Sequence, residues 1–160
     1  MSDTHTLVSR RQFCAGACQV ASCATIATIV SACGGDGSPT SPSGGGSASP
    51  LSVVPSQFAN SRVTVAVAGT PLASIGGAAR VDSTAGLFLI SRISESGFTA
   101  IDGTCTHEGC AITGATSNEY VCPCHGSRYN RNGQVQAGPA RSSLRQFATT
   151  FANDVLTIAI

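Results

Sequence analysis

The 160-residue chain contains no lysine. Its nine basic residues are all arginines, set against eight acids for a formal charge of +1. That balance excludes a nucleic-acid binder and a polybasic membrane-surface protein, because neutralising phosphates needs a clustered positive face. Aromatic residues are scarce at 5% and charged residues at 11%, whereas glycine appears 18 times and proline seven. So many turn formers with so few aromatics exclude a helical bundle and predict a loop-rich, all-β protein with a modest core. The length suits one compact domain with flanking segments, not two full-sized ones. Against these shortages stand eight cysteines.

Residues 1–33 read as an export segment. Ser9-Arg10-Arg11-Gln12-Phe13 has the twin-arginine pattern of the route that carries folded, often cofactor-loaded cargo. The stretch from Cys14 to Ala32 is broken by Gln19, Ser22, Thr25, Thr28 and Ser31. It falls short of the roughly 20 predominantly apolar residues of a spanning helix. It ends in Val30-Ser31-Ala32-Cys33, which resembles the bacterial lipoprotein box. That resemblance implies cleavage after Ala32 and lipidation of Cys33 as a membrane anchor. The competing reading is an uncleaved signal anchor. Residues 34–50 are almost wholly Gly, Ser, Pro, Thr and Ala, with no apolar surface to offset ordering entropy. They predict a disordered linker with an end-to-end distance of about 23 Å. The expected product is a domain leashed to the extracytoplasmic (periplasmic) face of a membrane.

Within residues 51–160 the hydrophobic period is two. Val63, Val65 and Val67 alternate with Thr64 and Ala66 before the Gly69-Thr70-Pro71 break. Residues 87–90, 98–101, 119–121, 134–136, 144–151 and 155–160 supply further strand candidates, the last two joined by a turn at Asn153-Asp154. Short strands at such spacing predict an antiparallel sandwich or small barrel. Most of these apolar side chains are core.

The chemistry lies in Cys105-Thr106-His107-Glu108-Gly109-Cys110 and Cys122-Pro123-Cys124-His125-Gly126-Ser127-Arg128-Tyr129. Two Cys–His pairs, C-x-H and C-x-x-H, have fourteen residues between them. Two thiolates and two neutral imidazoles close a tetrahedral zinc site or ligate a binuclear iron cluster, and spacing alone does not choose. Cys110 and Cys124 favour iron, since each stands beside a ligand pair and a four-ligand zinc site has no use for them.

The pattern closely resembles the Rieske iron–sulfur family, in which two cysteines hold one iron and two histidines the other. The resemblance implies one [2Fe-2S] cluster, with Cys105 and Cys122 on the inner iron and His107 and His125 on the outer. In the subclass attached to cytochrome bc complexes the extra cysteines form a disulfide, here Cys110–Cys124. Closing that loop of about 15 residues is worth about 3 kcal/mol in the chain-entropy picture, and the bond suits an oxidising compartment. Ser127 and Tyr129 occupy positions whose hydroxyls, in high-potential members, donate to a bridging sulfide and to the first ligand cysteine. Gly138-Pro139-Ala140 is similar to the family's third, proline-containing loop. The resemblance further implies a cluster-binding part at about residues 103–141, inserted between strands of the domain. One departure stands out: Glu108 replaces the leucine that quinol-oxidising members usually carry after the first histidine. A carboxylate there disfavours docking in an apolar quinol pocket.

The expected function is therefore one-electron transfer through a high-potential Rieske cluster, with a c-type cytochrome among the redox partners. Two forms remain open at this point. One is a stand-alone, membrane-tethered carrier. The other is a subunit of a quinol:cytochrome c oxidoreductase that also meets a b-type cytochrome and quinol. A ferredoxin component of an oxygenase is a remoter reading, because those relatives lack the disulfide pair.

Overall fold

The computed structural model describes residues 48–160. The export segment with Cys33, and residues 34–47 of the expected linker, lie outside the described residues. Strands run in the order β1 (Ser49–Pro50), β2 (Gln57–Ala59), β3 (Arg62–Ala66), β4 (Ala78–Ser83), β5 (Gly86–Arg92), β6 (Phe98–Asp102) and β7 (Gly114–Ala115). There follow β8 (Glu119–Val121), β9 (Arg128–Asn130), β10 (Val135–Ala137), β11 (Gln146–Phe147), β12 (Thr149–Ala152) and β13 (Val155–Ala159). The expected all-β, antiparallel architecture is what the chain adopts, in three sheets.

Two hairpins make the first sheet, ordered β12-β13-β3-β2. Each turns through two residues with positive φ: Asn60 and Ser61 at 50° and 56°, Asn153 and Asp154 at 50° and 57°. Such turns twist with the strands they join, and Asn and Asp tolerate the left-handed region. The second sheet is β11-β6-β5-β4. Its central strand β5 is buried on both faces, which is why Leu87-Phe88-Leu89-Ile90 is continuously apolar instead of alternating. Phe88 and Ile90 join Val63, Val65, Leu156 and Ile158 in one core. Leu89 and Ile101 point the other way, into a second core with Ile112, Tyr120, Tyr129, Cys105 and Cys122.

The third sheet, β1-β7-β8-β9-β10, carries the Cys/His loops. The chain leaves the middle sheet at Asp102 and returns to pair Gln146 with Ile101 and Phe147 with Ala100. Asp102 N–H donates to the Arg145 carbonyl at 2.8 Å, closing the neck. Residues 103–145 are thus an insertion between two neighbouring strands, as expected for the cluster-binding part. Arg131 pins it to the middle sheet. Its guanidinium donates to the carbonyls of Thr116 and Ser117 at 2.6 and 3.2 Å and lies 4.5 Å from the Tyr120 ring centre. Its own carbonyl accepts from Thr99 Oγ1 at 3.0 Å.

Several strands differ from expectation, β2, β7 and β9 among them as short strands that the apolar pattern did not mark. Residues 144–151 are not one strand: β11 pairs in the middle sheet and β12 in the first. The chain crosses between sheets here, and Phe147 on Phe88 at 5.1 Å and Phe151 on Phe98 at 4.8 Å both pack against rings of the middle sheet. β4, rich in Ala, Arg and Asp, has little strand propensity of its own. A six-residue register with β5 supplies what its side chains do not. Ser49 and Pro50, expected in the linker, pair with Ala115 and Gly114. The short β7 leaves an edge open to them.

The two-sided burial of β5 makes a prediction. Leu89→Ala and Ile90→Ala, both fully buried, should each cost about 2–5 kcal/mol in denaturant unfolding. Only Leu89→Ala, on the side of the Cys/His loops, should also weaken metal retention, measured as iron per chain after dialysis.

Candidate metal centre

The two loops share one backbone design. In the first, Cys105 N–H donates to the Cys110 carbonyl at 2.8 Å and Gly109 N–H to the Cys105 carbonyl at 2.9 Å. In the second, Cys122 N–H donates to the Ser127 carbonyl at 2.9 Å and Gly126 N–H to the Cys122 carbonyl at 3.1 Å. The glycine four residues after each cysteine has φ of +75° or +70°, a conformation that side chains disfavour and that turns the chain back on itself. Each loop thereby buries its first cysteine and sends its histidine outward. Cys105 and Cys122 are buried free thiols, whereas His107 is half-buried and His125 exposed. The imidazole centres stand 5.0 Å apart, edge to face.

Cys110 and Cys124 are disulfide-bonded, with Cα atoms 6.6 Å apart, so the expected pair is formed and joins the loops. Tyr129 faces its cross-strand partner Tyr120, and both are fully buried. The Tyr129 hydroxyl lies 3.3 Å from Cys105 Sγ and accepts from Thr106 N–H at 3.2 Å. Ser127 is fully buried, and its Oγ accepts from Ala140 N–H at 3.2 Å. That bond brings Gly138-Pro139-Ala140 over the site. Gly138 has φ of +93°, and a Cβ there would come within 2.6 Å of Ser127 Cα. Only glycine lets the third loop approach so closely.

Sequence reasoning passed over Thr106. Its Oγ1 lies 3.0 Å from the Tyr129 hydroxyl and donates to the Ser142 carbonyl at 2.7 Å, tying the first loop to the third. Its place between two ligand-type residues was the available signal, but a threonine in a loop has many uses.

The surroundings favour negative charge on Cys105 rather than on Cys122. Burial pushes the Cys105 thiol up, but donation from the Tyr129 hydroxyl, the His107 N–H and other neighbours outweighs it and holds the thiol below its ordinary range. Burial raises Cys122, with Cys105 adding to the rise against the opposing N–H groups of Cys124 and His125. Cys105 therefore loses its proton first. Burial, then the contact with Cys105, raises Tyr129, which keeps its hydroxyl a donor.

A family profile described as "Rieske [2Fe-2S] domain" matches residues 54–148. The chain belongs to that family. Its relatives include the "Cytochrome b6-f complex iron-sulfur subunit" of Prochlorococcus marinus (strain MIT 9301), 34% identical over 71 residues. That match covers 44% of this chain and 40% of the relative. The protein of the same name from Chlorobaculum thiosulfatiphilum is 36% identical over 62 residues, covering 38% of this chain and 34% of the relative. The chain thus spans well under half the length of these relatives. Among solved structures, the cyanobacterial plasma membrane Rieske protein PetC3 from Synechocystis PCC 6803 is 26% identical. The two superpose with a TM-score of 0.47, covering 52% of this chain and 86% of that one.

The Rieske family implies one [2Fe-2S] cluster, and the residues fit it. Two buried thiols face backbone and hydroxyl donors, as anionic sulfur requires. Nδ1 of His107 is buried without a hydrogen-bond partner among the described residues, a position that a metal ion satisfies. The second imidazole lies beside it.

The Tyr129 contact can be tested without metal. In apo-protein carrying Cys122→Ser, Tyr129→Phe removes a donor to Cys105, so the Cys105 thiol should titrate at higher pH. The pH profile of its alkylation by iodoacetamide should move upward; an unmoved profile would show that the hydroxyl does not reach the sulfur.

Proposed function

We propose that this Rieske protein is a one-electron transfer protein of the high-potential type, working tethered at the extracytoplasmic face of a membrane. The observation that carries the reading is the arrangement of two buried thiols behind two outward-facing imidazoles in disulfide-joined loops. Cys105 and Cys122 would hold the inner iron and His107 and His125 the outer. A [2Fe-2S] cluster bound there supplies one-electron exchange. The protein's own part is binding, orientation and electrostatics. Buried thiolates and backbone N–H groups keep the inner side dry, while the imidazole edges offer a short path to a partner at the tip. Tyr129 and Ser127 donate into sulfur, which favours the more electron-rich, reduced state and raises the potential. The twin-arginine pattern, the Cys33 box and the Gly/Ser/Pro linker support export, lipid anchoring and a short leash.

Two readings of its setting have separate support. Glu108 at the tip favours a carrier between protein partners such as c-type cytochromes, since a carboxylate is costly in an apolar quinol pocket. The names of the relatives favour a subunit of a quinol-oxidising cytochrome complex. Purification from native membranes separates them: a carrier should come away without a b-type cytochrome, and stoichiometric b-type haem would establish the subunit.

The cluster itself is tested by low-temperature electron paramagnetic resonance of the reduced protein, which should give the low-average-g signal of mixed His/Cys ligation. Two iron ions and two acid-labile sulfides per chain should accompany it. Ser127→Ala and Tyr129→Phe should retain the signal and lower the reduction potential in voltammetry. Unchanged potentials would remove both hydroxyls from the tuning role.

A further inference from the structure

Two side chains of opposite charge stand at the tip, and the metal ligand set uses neither. Glu108 has more than half of its side chain open to solvent, at 59%. Its carboxylate oxygens lie 3.8 Å from His107 Nε2 and 3.6 Å from His125 Nδ1. The turn at Gly109 fixes its backbone.

The second charge is Arg141, which is exposed on the third loop. The residues on either side are anchored, one to each Cys/His loop. Ala140 N–H donates to Ser127 Oγ at 3.2 Å, and the Ser142 carbonyl accepts from Thr106 Oγ1 at 2.7 Å. Arg141 is therefore presented from a doubly tied backbone, not from a free loop. Arg141 lines a cavity of about 440 Å³ together with Thr106, His107, Gly138, Pro139 and Ser142.

The insertion contains four arginines, and the other three are engaged. Arg128 pairs with Glu119 at 2.8 Å, Arg131 with the Thr116 and Ser117 carbonyls, and Arg145 with the Phe147 ring at 4.6 Å. Among the described residues no carboxylate pairs with Arg141. A planar guanidinium held beside an open cavity is a receptor for a carboxylate, which it binds through parallel N–H donors. Glu108, next to both imidazoles, repels that same carboxylate and attracts a cation. Two fixed charges of opposite sign define a direction across the tip, and charge complementarity of this kind governs encounter rate and orientation more than affinity.

Resting on the one-electron reading above, we propose that the redox partner is a protein that docks by a two-charge match. Its carboxylate seats against Arg141 in the cavity beside His107, and its cation lies against Glu108. That register brings the partner's redox group over the His107 edge and rejects the reversed orientation.

The test uses reduced, cluster-loaded protein in stopped-flow oxidation at low and high ionic strength. The small oxidants are ferricyanide, an anion, and tris(phenanthroline)cobalt(III), a cation. In each reaction one electron passes from the protein to the oxidant, giving ferrocyanide or the cobalt(II) complex. Wild-type rates with both should fall as salt rises. At low salt Arg141→Gln should slow ferricyanide about threefold and speed the cobalt complex, and Glu108→Gln should slow the cobalt complex about threefold and speed ferricyanide. Arg62→Gln, on β3, serves as the control and should change neither. The orientation is tested with a soluble c-type cytochrome carrying both lysines and carboxylates around its haem edge. The double variant Glu108→Arg/Arg141→Glu keeps the net charge and should be slower with it. A double variant as fast as wild type, or single variants that act alike on both small oxidants, would overturn the two-charge match. Loss of the one-electron reading shows earlier and separately, as reduced protein without the paramagnetic signal.

Discussion

Two thiols buried side by side impose the constraint around which the inserted sheet is arranged. To bind metal each must give up its proton, and a negative charge out of water is tolerable only where donors face it. The insertion meets this with backbone N–H groups of the two cysteine turns, the Tyr129 hydroxyl of β9 and the Ser127 hydroxyl just before it. The Tyr129 hydroxyl reaches Cys105 because β8 and β9 hold Tyr120 and Tyr129 opposite each other in the second core. The asymmetry between the sulfurs follows from the same placement: Cys105 has the tyrosine and Cys122 does not. Electrostatics at the site and packing behind it are one arrangement.

Holding such loops still costs conformational entropy, and the fold spreads that cost over several ties. The disulfide joins the first loop to the second, Thr106 joins the first to the third, and Ser127 joins the second to the third. Gly138 removes the side chain that would keep the third loop away. Behind them, β11 closes the neck of the insertion on β6, and the Arg131 carbonyl, accepting from Thr99 Oγ1, fixes its far turn to the middle sheet. The middle sheet thus serves as the floor of the site and as one wall of the main core. A metal centre carried on rigid strands changes shape little between charge states, which suits an electron carrier.

The tip decides what meets the site. An apolar residue between the histidines would suit an apolar pocket, whereas Glu108 and Arg141 put charges of opposite sign beside the half-buried His107 and the exposed His125. Arg141 acquires its place only through neighbours that are bonded to both loops. The third loop therefore lies over the thiols and also presents a charge beside His107.

Much of the site could be read in advance because its chemistry is local. The C-x-H and C-x-x-H spacings, the extra cysteines and the Ser127 and Tyr129 positions lie within a short stretch of chain, and turn glycines mark where it folds back. Strands with alternating or continuous apolar residues were equally visible, as was the Asn153-Asp154 turn. What pairing over long sequence distances controls was not visible. β4 is a strand because β5 lies beside it, Ser49 and Pro50 join a sheet because β7 has an open edge, and residues 146–152 divide between two sheets because Gln146-Phe147 pair with β6 and Thr149–Ala152 with β13. Thr106 and Arg141 belong with this group. Local sequence supplies the ligand set because bond geometry is short-ranged. Which hydroxyl reaches which sulfur, and which charge flanks the histidines, depends on backbone contacts that exist only once the three sheets have packed.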